Sequence, residues 1–387
     1  MTPKTPANQL KFYEFFAGGG MARAGLGPRW ECLFANDFDA RKAETYRRNW
    51  HPANLLLKDI HSVSASDIPG VADLAWASFP CQDLSLAGGG AGLKGERSGT
   101  FYPFWEAMKG LIRDGRAPRL IALENVAGTL SSHGGKDFAA ICETFAAAGY
   151  RYGAVVVDAA LFVPHSRQRL FVIGVRSDLP IDNLLVADRP QHPFHTRGLQ
   201  RALSKVAPSA RENWIWWNLP TPSLRTTTFS DLVEHDPLDV RWHSPEETAR
   251  LLDQMSPINA KKVELAKRIG KQLVGSVYKR TRRDQAGIKG VRAEARFDGI
   301  AGCLRTPAGG SSRQVILVVE GRHVRSRLIS ARETARLMGL PESYQLPSNY
   351  NEAYHLTGDG VAVPVVAYVA KHLFEPLLKV DVIAEAA

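Results

Sequence analysis

Six short apolar runs, at residues 11–16, 30–36, 55–57, 73–77, 120–123 and 152–157, leave this chain few architectures. Each is of strand length, and stretches with helical spacing, notably 101–112 and 136–148, lie between several of them. A strand buried on both faces reads as a continuous apolar run, and strands that alternate with helices pair in parallel. The expected fold is therefore α/β, a doubly wound, mostly parallel sheet, with 167–174 as a further strand. Ligands of such sheets gather at the carboxyl ends of the strands. The residues that close each run are thus the candidates for chemistry.

The run 73–77 is closed by Ser78-Phe79-Pro80-Cys81-Gln82. Proline ends the strand and delivers Cys81 to the cleft as a candidate nucleophile. A free cysteine is more often a small buried hydrophobe, so its partners decide the case. The first run turns through Ala17-Gly18-Gly19-Gly20 into a helix near Met21. Glycines let the backbone approach a ligand, and the helix start offers N–H groups to an anionic group; the plainer alternative is a tight connection. Asp37 closes the second run, where an acid suits a ribose diol, although it could equally cap the helix from Ala40. Phe38 could stack on a base, and Asp59 would end a third strand in the same cleft. Glu124 follows four apolar residues, and burial would raise its pKa so that it could donate a proton to a heterocyclic nitrogen. Arg167 and Arg169, two apart on a strand, are expected on one face, there to hold a carbonyl oxygen and a phosphate.

With 387 residues and 44% hydrophobic content the chain can bury a large and a smaller domain. Cys32, Cys81, Cys142 and Cys303 have no metal-ligand spacing, which argues against a disulfide framework or structural zinc and for a reducing compartment. No apolar stretch approaches the ~20 residues of a membrane span, and a cytoplasmic location is expected. The net charge of +10 is concentrated: residues 271–330 carry 13 lysines and arginines against 4 acids. Such a patch is the footprint of a polyanion. Arg282 and Arg283 look like a phosphate clamp, and Arg305 and Arg313 bracket a Gly-Ser loop suited to a DNA groove. Beyond about residue 176 the alternation breaks down, and Trp214-Ile215-Trp216-Trp217 is read as the small core of a separate, irregular domain. Helices are expected at Ser244-Pro245 and Ser256-Pro257.

As a set these residues resemble the cytosine-5 DNA methyltransferase family over about residues 12–374. Phe16-Ala17-Gly18-Gly19-Gly20 is similar to the family's cofactor loop, Phe79-Pro80-Cys81-Gln82 to its nucleophile loop, Glu124-Asn125-Val126 to its ENV triplet and Arg167-Gln168-Arg169 to its paired arginines. Arg332-Glu333 with Arg336-Leu337-Met338-Gly339, and Gly358-Asp359-Gly360-Val361, resemble its last two motifs. Three departures accompany the match: His165 stands where glutamine is usual, Asp359 where asparagine is usual, and Cys303-Leu304 is the nearest counterpart of a Thr-Leu pair.

The resemblance implies a Rossmann-like methyltransferase domain at 1–177, an inserted target recognition domain at 178–325 and a return to the catalytic domain at 326–387. It implies S-adenosyl-L-methionine as cofactor, held by Phe16, Ala17, Gly18, Gly20, Asp37, Phe38, Asp59, Ile60, Gly360 and Val361. Catalysis falls to Cys81, Glu124, Arg167 and Arg169, supported by Pro80, Gln82 and Asn125, and Ser85 and Arg97 join the DNA contacts. The implied reaction is methylation of cytosine C5 in a specific double-stranded DNA sequence, on a base flipped out of the helix. The alternatives are a tRNA cytosine-5 methyltransferase and a DNA-binding regulator without catalysis. A nucleoid-associated monomer is expected, with a cognate restriction endonuclease as a genetic rather than physical partner.

Overall fold

The computed structural model describes residues 9–52, 54–80, 98–283, 287, 289–305 and 313–378. The chain forms two compact units, one of Met1–Val157, Gln168–Pro222 and Val361–Ala387, the other of Asp158–Arg167 and Ser223–Gly360. These divisions do not coincide with the expected ones at 177/178 and 325/326.

In the first unit, β1 (Leu10–Phe15), β2 (Trp30–Asp37), β3 (Leu55–Leu57), β4 (Leu74–Ala77), β5 (Leu120–Val126), β6 (Tyr150–Asp158) and β7 (Gln168–Arg176) form one sheet in the order β3-β2-β1-β4-β5-β7-β6. β1 pairs in parallel with β2 and β4, and these in turn with β3 and β5. The winding therefore reverses at β1, and the ligand crevice of an open sheet lies at such a reversal. β7 runs antiparallel to β5, which makes the sheet mixed.

Helices α1 (Met21–Leu26), α2 (Ala40–Asn49), α3 (Phe101–Arg113) and α4 (Lys136–Ala147) connect the strands. Phe101, Phe104, Trp105, Met108 and Leu111 of α3 are buried in a core with Tyr13, Phe15 and Phe34. Phe104 meets Phe15 edge-on at 5.0 Å. Gly174 on β7 leaves room for Phe145, whose ring would lie 2.4 Å from an added Cβ. After β8 (Val186–Ala187), α5 (Arg197–Leu203) and α6 (Pro208–Arg211), the chain returns as β9 (Trp216–Trp217). Here the expectation for the tryptophans is corrected. Tyr152 N–H donates to Asn213 O at 2.9 Å and Ile215 N–H to Tyr152 O at 2.7 Å, so the segment is stitched along β6. Trp214 and Trp216 pack on the first unit's core.

The second unit holds α7 (Pro245–Asp253) and α8 (Pro257–Ile269), then an antiparallel sheet of β10 (Leu273–Arg283), β11 (Lys289–Arg296), β12 (Val315–Glu320) and β13 (His323–Leu328) in the order β11-β10-β12-β13. Ser244 caps α7 in a reciprocal capping box with Glu247. Leu251, Met255, Val263 and Ala266 of the two helices pack on Val277, Ala293, Val315, Leu317 and Val319. α9 (Ala331–Leu337) brings Glu333 onto Arg327 of β13 at 2.6 and 2.8 Å, with both side chains fully buried. That pair keeps 326–337 in this unit. α10 (Tyr350–Asp359) follows, and α11 (Val363–Val369) belongs to the first unit. Gly25 of α1 meets α11 so closely that a Cβ there would lie 2.4 Å from Val366 Cβ. Contrary to expectation, the helical run Tyr350–Leu378 is long and apolar enough to cross a membrane by length and composition, but 67% of its apolar window is buried.

Candidate active site

The glycine turn lies where β1 ends. Phe16, Gly18 and Gly20 all take left-handed conformations, with φ of 56°, 54° and 76°. For Phe16 this is strain on the order of 1 kcal/mol, which the surrounding bonds must offset. Gly18 N–H donates to Asp37 Oδ2 at 2.7 Å and Asp39 N–H to Asp37 Oδ1 at 2.8 Å, so the acid that closes β2 fixes the turn. Burial pushes the Asp37 carboxyl above the usual range, opposed by Lys42 and these two N–H groups. The helix cap itself is Asp39, which accepts from the N–H groups of Arg41 and Lys42. Phe38 stands 70% exposed. Asp59 accepts from His61 N–H at 2.9 Å, a bond that holds its carboxyl below the usual range. Ile60 is buried in the core, and a Cβ on Gly18 would meet nothing within 4 Å.

At the end of β4, Phe79 is buried against Phe101 at 5.6 Å. Asn125 Nδ2 donates to Phe79 O at 3.3 Å, tying the ends of β5 and β4 together ahead of Pro80. Glu124 is 5% exposed. Its Oε1 meets Arg169 Nε at 3.0 Å, a diagonal cross-strand pair because Val126 stands opposite Arg169. Glu124 is therefore a buried carboxyl with a cation on it. Cys81, Gln82, Ser85 and Arg97 lie outside the described residues.

In the second unit Arg167 departs from expectation. Its guanidinium is buried on backbone carbonyls, donating to Gly358 O at 2.9 Å, Gly360 O at 2.6 Å and Leu304 O at 3.2 Å. It ties its own segment to two others of its unit, and Arg169 engages Glu124 instead. His165 Nε2 accepts from Leu304 N–H at 3.0 Å, so the histidine of the first departure holds the Cys303-Leu304 pair. Gly360 ends α10, and Val361 is buried in the first unit.

Arg282 and Arg283 cannot form one clamp, because successive residues of β10 point to opposite faces. Arg282 lies on Glu294 at 2.6 and 2.8 Å, whereas Arg283 is exposed and donates to Gly287 O at 3.1 Å. Arg305 is exposed. Arg313 meets Asn351 Oδ1 and lies 5.6 Å from the Tyr350 ring. The Gly-Ser loop between them, residues 306–312, lies outside the described residues.

The family model for C-5 cytosine-specific DNA methylase matches residues 10–375. The chain belongs to this family. It is a DNA cytosine-5-methyltransferase that uses S-adenosylmethionine. It is similar to the type II methyltransferase M.Bsp6I of Bacillus sp. (strain RFL6), at 24% identity over 95% of this chain and 100% of that one. It is also similar to the type II methyltransferase M.HhaI of Haemophilus parahaemolyticus, at 26% identity over 94% of each. Among solved structures, the Dnmt2 methyltransferase of S. pombe matches at 17% identity with a TM-score of 0.58, covering 95% of this chain and 99% of that one, a likeness of fold.

The residues of the glycine turn fit that cofactor. The space before Gly18 is open, and two acids and an exposed aromatic ring follow the strands on the same side of the reversal. Sequence reasoning missed three residues that support it. Trp50 Nε1 donates to Gly19 O at 3.1 Å and would lie 2.1 Å from a Cβ on Gly20. Glu14 and Tyr46 brace the turn from beneath. Glu14 carried a signal, as a lone acid inside an apolar strand.

Proposed function

We propose that the protein methylates C5 of cytosine within a specific double-stranded DNA sequence, with Cys81 as nucleophile and the second unit as the reader of the target. The observation that carries this reading is the Glu124–Arg169 pair, placed beside the Phe79-Pro80 exit that leads to Cys81. Cytosine C5 is too poor a nucleophile to take a methyl group directly. Addition of the Cys81 thiolate to C6 turns the ring into an enamine with electron density on C5. S-adenosylmethionine supplies the methyl group as an electrophilic sulfonium. Asp37, Asp59, Phe38 and the turn from Phe16 to Gly20 hold it. Glu124 hydrogen bonds at N3 of the base and neutralises the charge that develops there, while Arg169 fixes the carboxyl in place and lends positive potential to the thiolate. Loss of the C5 proton and expulsion of the thiolate complete the cycle. The base must leave the helix to reach these groups.

The local charge of residues 271–330 supports DNA as the second unit's partner, with Arg283 and Arg305 as exposed cations. Bisulfite sequencing of DNA and tRNA from a host that expresses the protein tests the substrate. Methylcytosine in one recurring DNA sequence is the expected result. Methylation confined to tRNA, or no new methylcytosine, contradicts it.

A further inference from the structure

Beneath the glycine turn lies a buried polar cluster that the reaction itself does not use. Glu14, 1% exposed, points from β1 into the face covered by α1 and α2. Arg23 N–H of α1 donates to its Oε1 at 3.2 Å, and the Tyr46 hydroxyl of α2 donates to its Oε2 at 3.1 Å. Arg23 Nη1 donates in turn to the Tyr46 oxygen at 3.2 Å, and its guanidinium lies 5.1 Å from the ring of Trp50. Trp50 holds Gly19 O and fills the space that a side chain on Gly20 would need. A continuous set of contacts thus runs from one carboxyl to the cofactor turn.

We propose that Glu14 is a positioning residue whose ionised carboxylate sets the cofactor-binding shape of the turn through Arg23, Tyr46 and Trp50, so that protonation of this one group weakens S-adenosylmethionine binding. The ionised carboxylate only accepts, and both of its neighbours donate. Protonation reverses the bond to Tyr46: the hydroxyl then accepts from the carboxyl and turns its own hydrogen towards Cys32 Sγ, 3.6 Å away. Tyr46 oxygen must now serve two donors, and its hold on Arg23, and through Arg23 on Trp50, slackens.

The charged and titratable groups that face Glu14 are Arg23 from α1, Tyr46 from α2, and Cys32 and Asp37 from β2. Burial keeps Tyr46 protonated and pushes the Cys32 thiol up to about 12. Desolvation, opposed by the Arg23 N–H and the Tyr46 hydroxyl, pushes Glu14 up to about 7, so it changes charge near neutral pH. The sign follows: binding is strong above that value and is lost as pH falls through it.

The test is calorimetric titration of the full chain with S-adenosylmethionine alone between pH 6 and pH 8, so that failure of the DNA reading leaves it untouched. The wild-type dissociation constant should rise about tenfold from pH 8 to pH 6, with proton release on binding seen by comparing buffers of different ionisation enthalpy. Glu14→Gln should bind as weakly at pH 8 as the wild type does at pH 6, with no pH dependence. Tyr46→Phe removes the hydroxyl that relays the change to Arg23 and should bind weakly with a flattened pH profile, which decides the matter even if Glu14→Gln does not fold. A flat wild-type profile, a profile that survives in Glu14→Gln, or the full wild-type pH dependence in Tyr46→Phe overturns the proposal.

Discussion

At the residue scale the cleft depends on a few side chains whose neighbours leave them little freedom. Glu124 is buried and paired with Arg169, so removing either partner has separable consequences. Glu124→Gln keeps the shape and removes the charge; single-turnover methyl transfer should fall by about 10²–10⁴-fold, with cofactor affinity unchanged. Arg169→Ala leaves a buried carboxylate without its cation, and thermal unfolding should register a loss of about 3 kcal/mol in addition to lost activity. Gly20 is constrained twice, by its φ of 76° and by the Trp50 ring. Gly20→Ala should cost about 1–3 kcal/mol and raise the dissociation constant for S-adenosylmethionine, measured by the same titration.

At the element scale, what the sequence made legible follows from which forces are local. β1, β2, β4 and β5 are buried on both faces and so read as apolar runs with closing residues, which brought Gly18, Asp37 and Glu124 into view before any coordinates. The direction of β7 has no residue signature, and its antiparallel pairing with β5 could not be read. Nor could the place of Trp214, because the bonds of its neighbours Asn213 and Ile215 run to Tyr152, far away along the chain. The misreading of Arg282 and Arg283 is different in kind, since strand alternation alone separates them. Only the side-chain bonds of the β10–β11 hairpin reveal that Glu294, which stands opposite Tyr278, already serves Arg282. Arg283→Ala should therefore lower the salt dependence of DNA binding by about one phosphate contact, a slope change near 0.9, and Arg282→Ala by less. Equal slope changes in the two variants would contradict this asymmetry.

For the whole molecule, one unit carries the glycine turn, the strand that leads to Cys81 and the Glu124–Arg169 pair, and the other concentrates the positive charge. Arg167 joins the second unit's segments on buried carbonyls, a role that its place in a motif of paired arginines concealed. The central claim is that Cys81 attacks the base covalently, and it is tested most directly by trapping. Duplex DNA carrying 5-fluorocytosine cannot lose the fluorine as it would a proton, so the thiolate stays attached once the methyl group has been transferred. With S-adenosylmethionine present, the wild type should form a denaturation-resistant adduct with such DNA, and Cys81→Ser should form none while binding the DNA within a few-fold of wild type. An adduct that persists in Cys81→Ser, or its absence from an active wild type, contradicts the account.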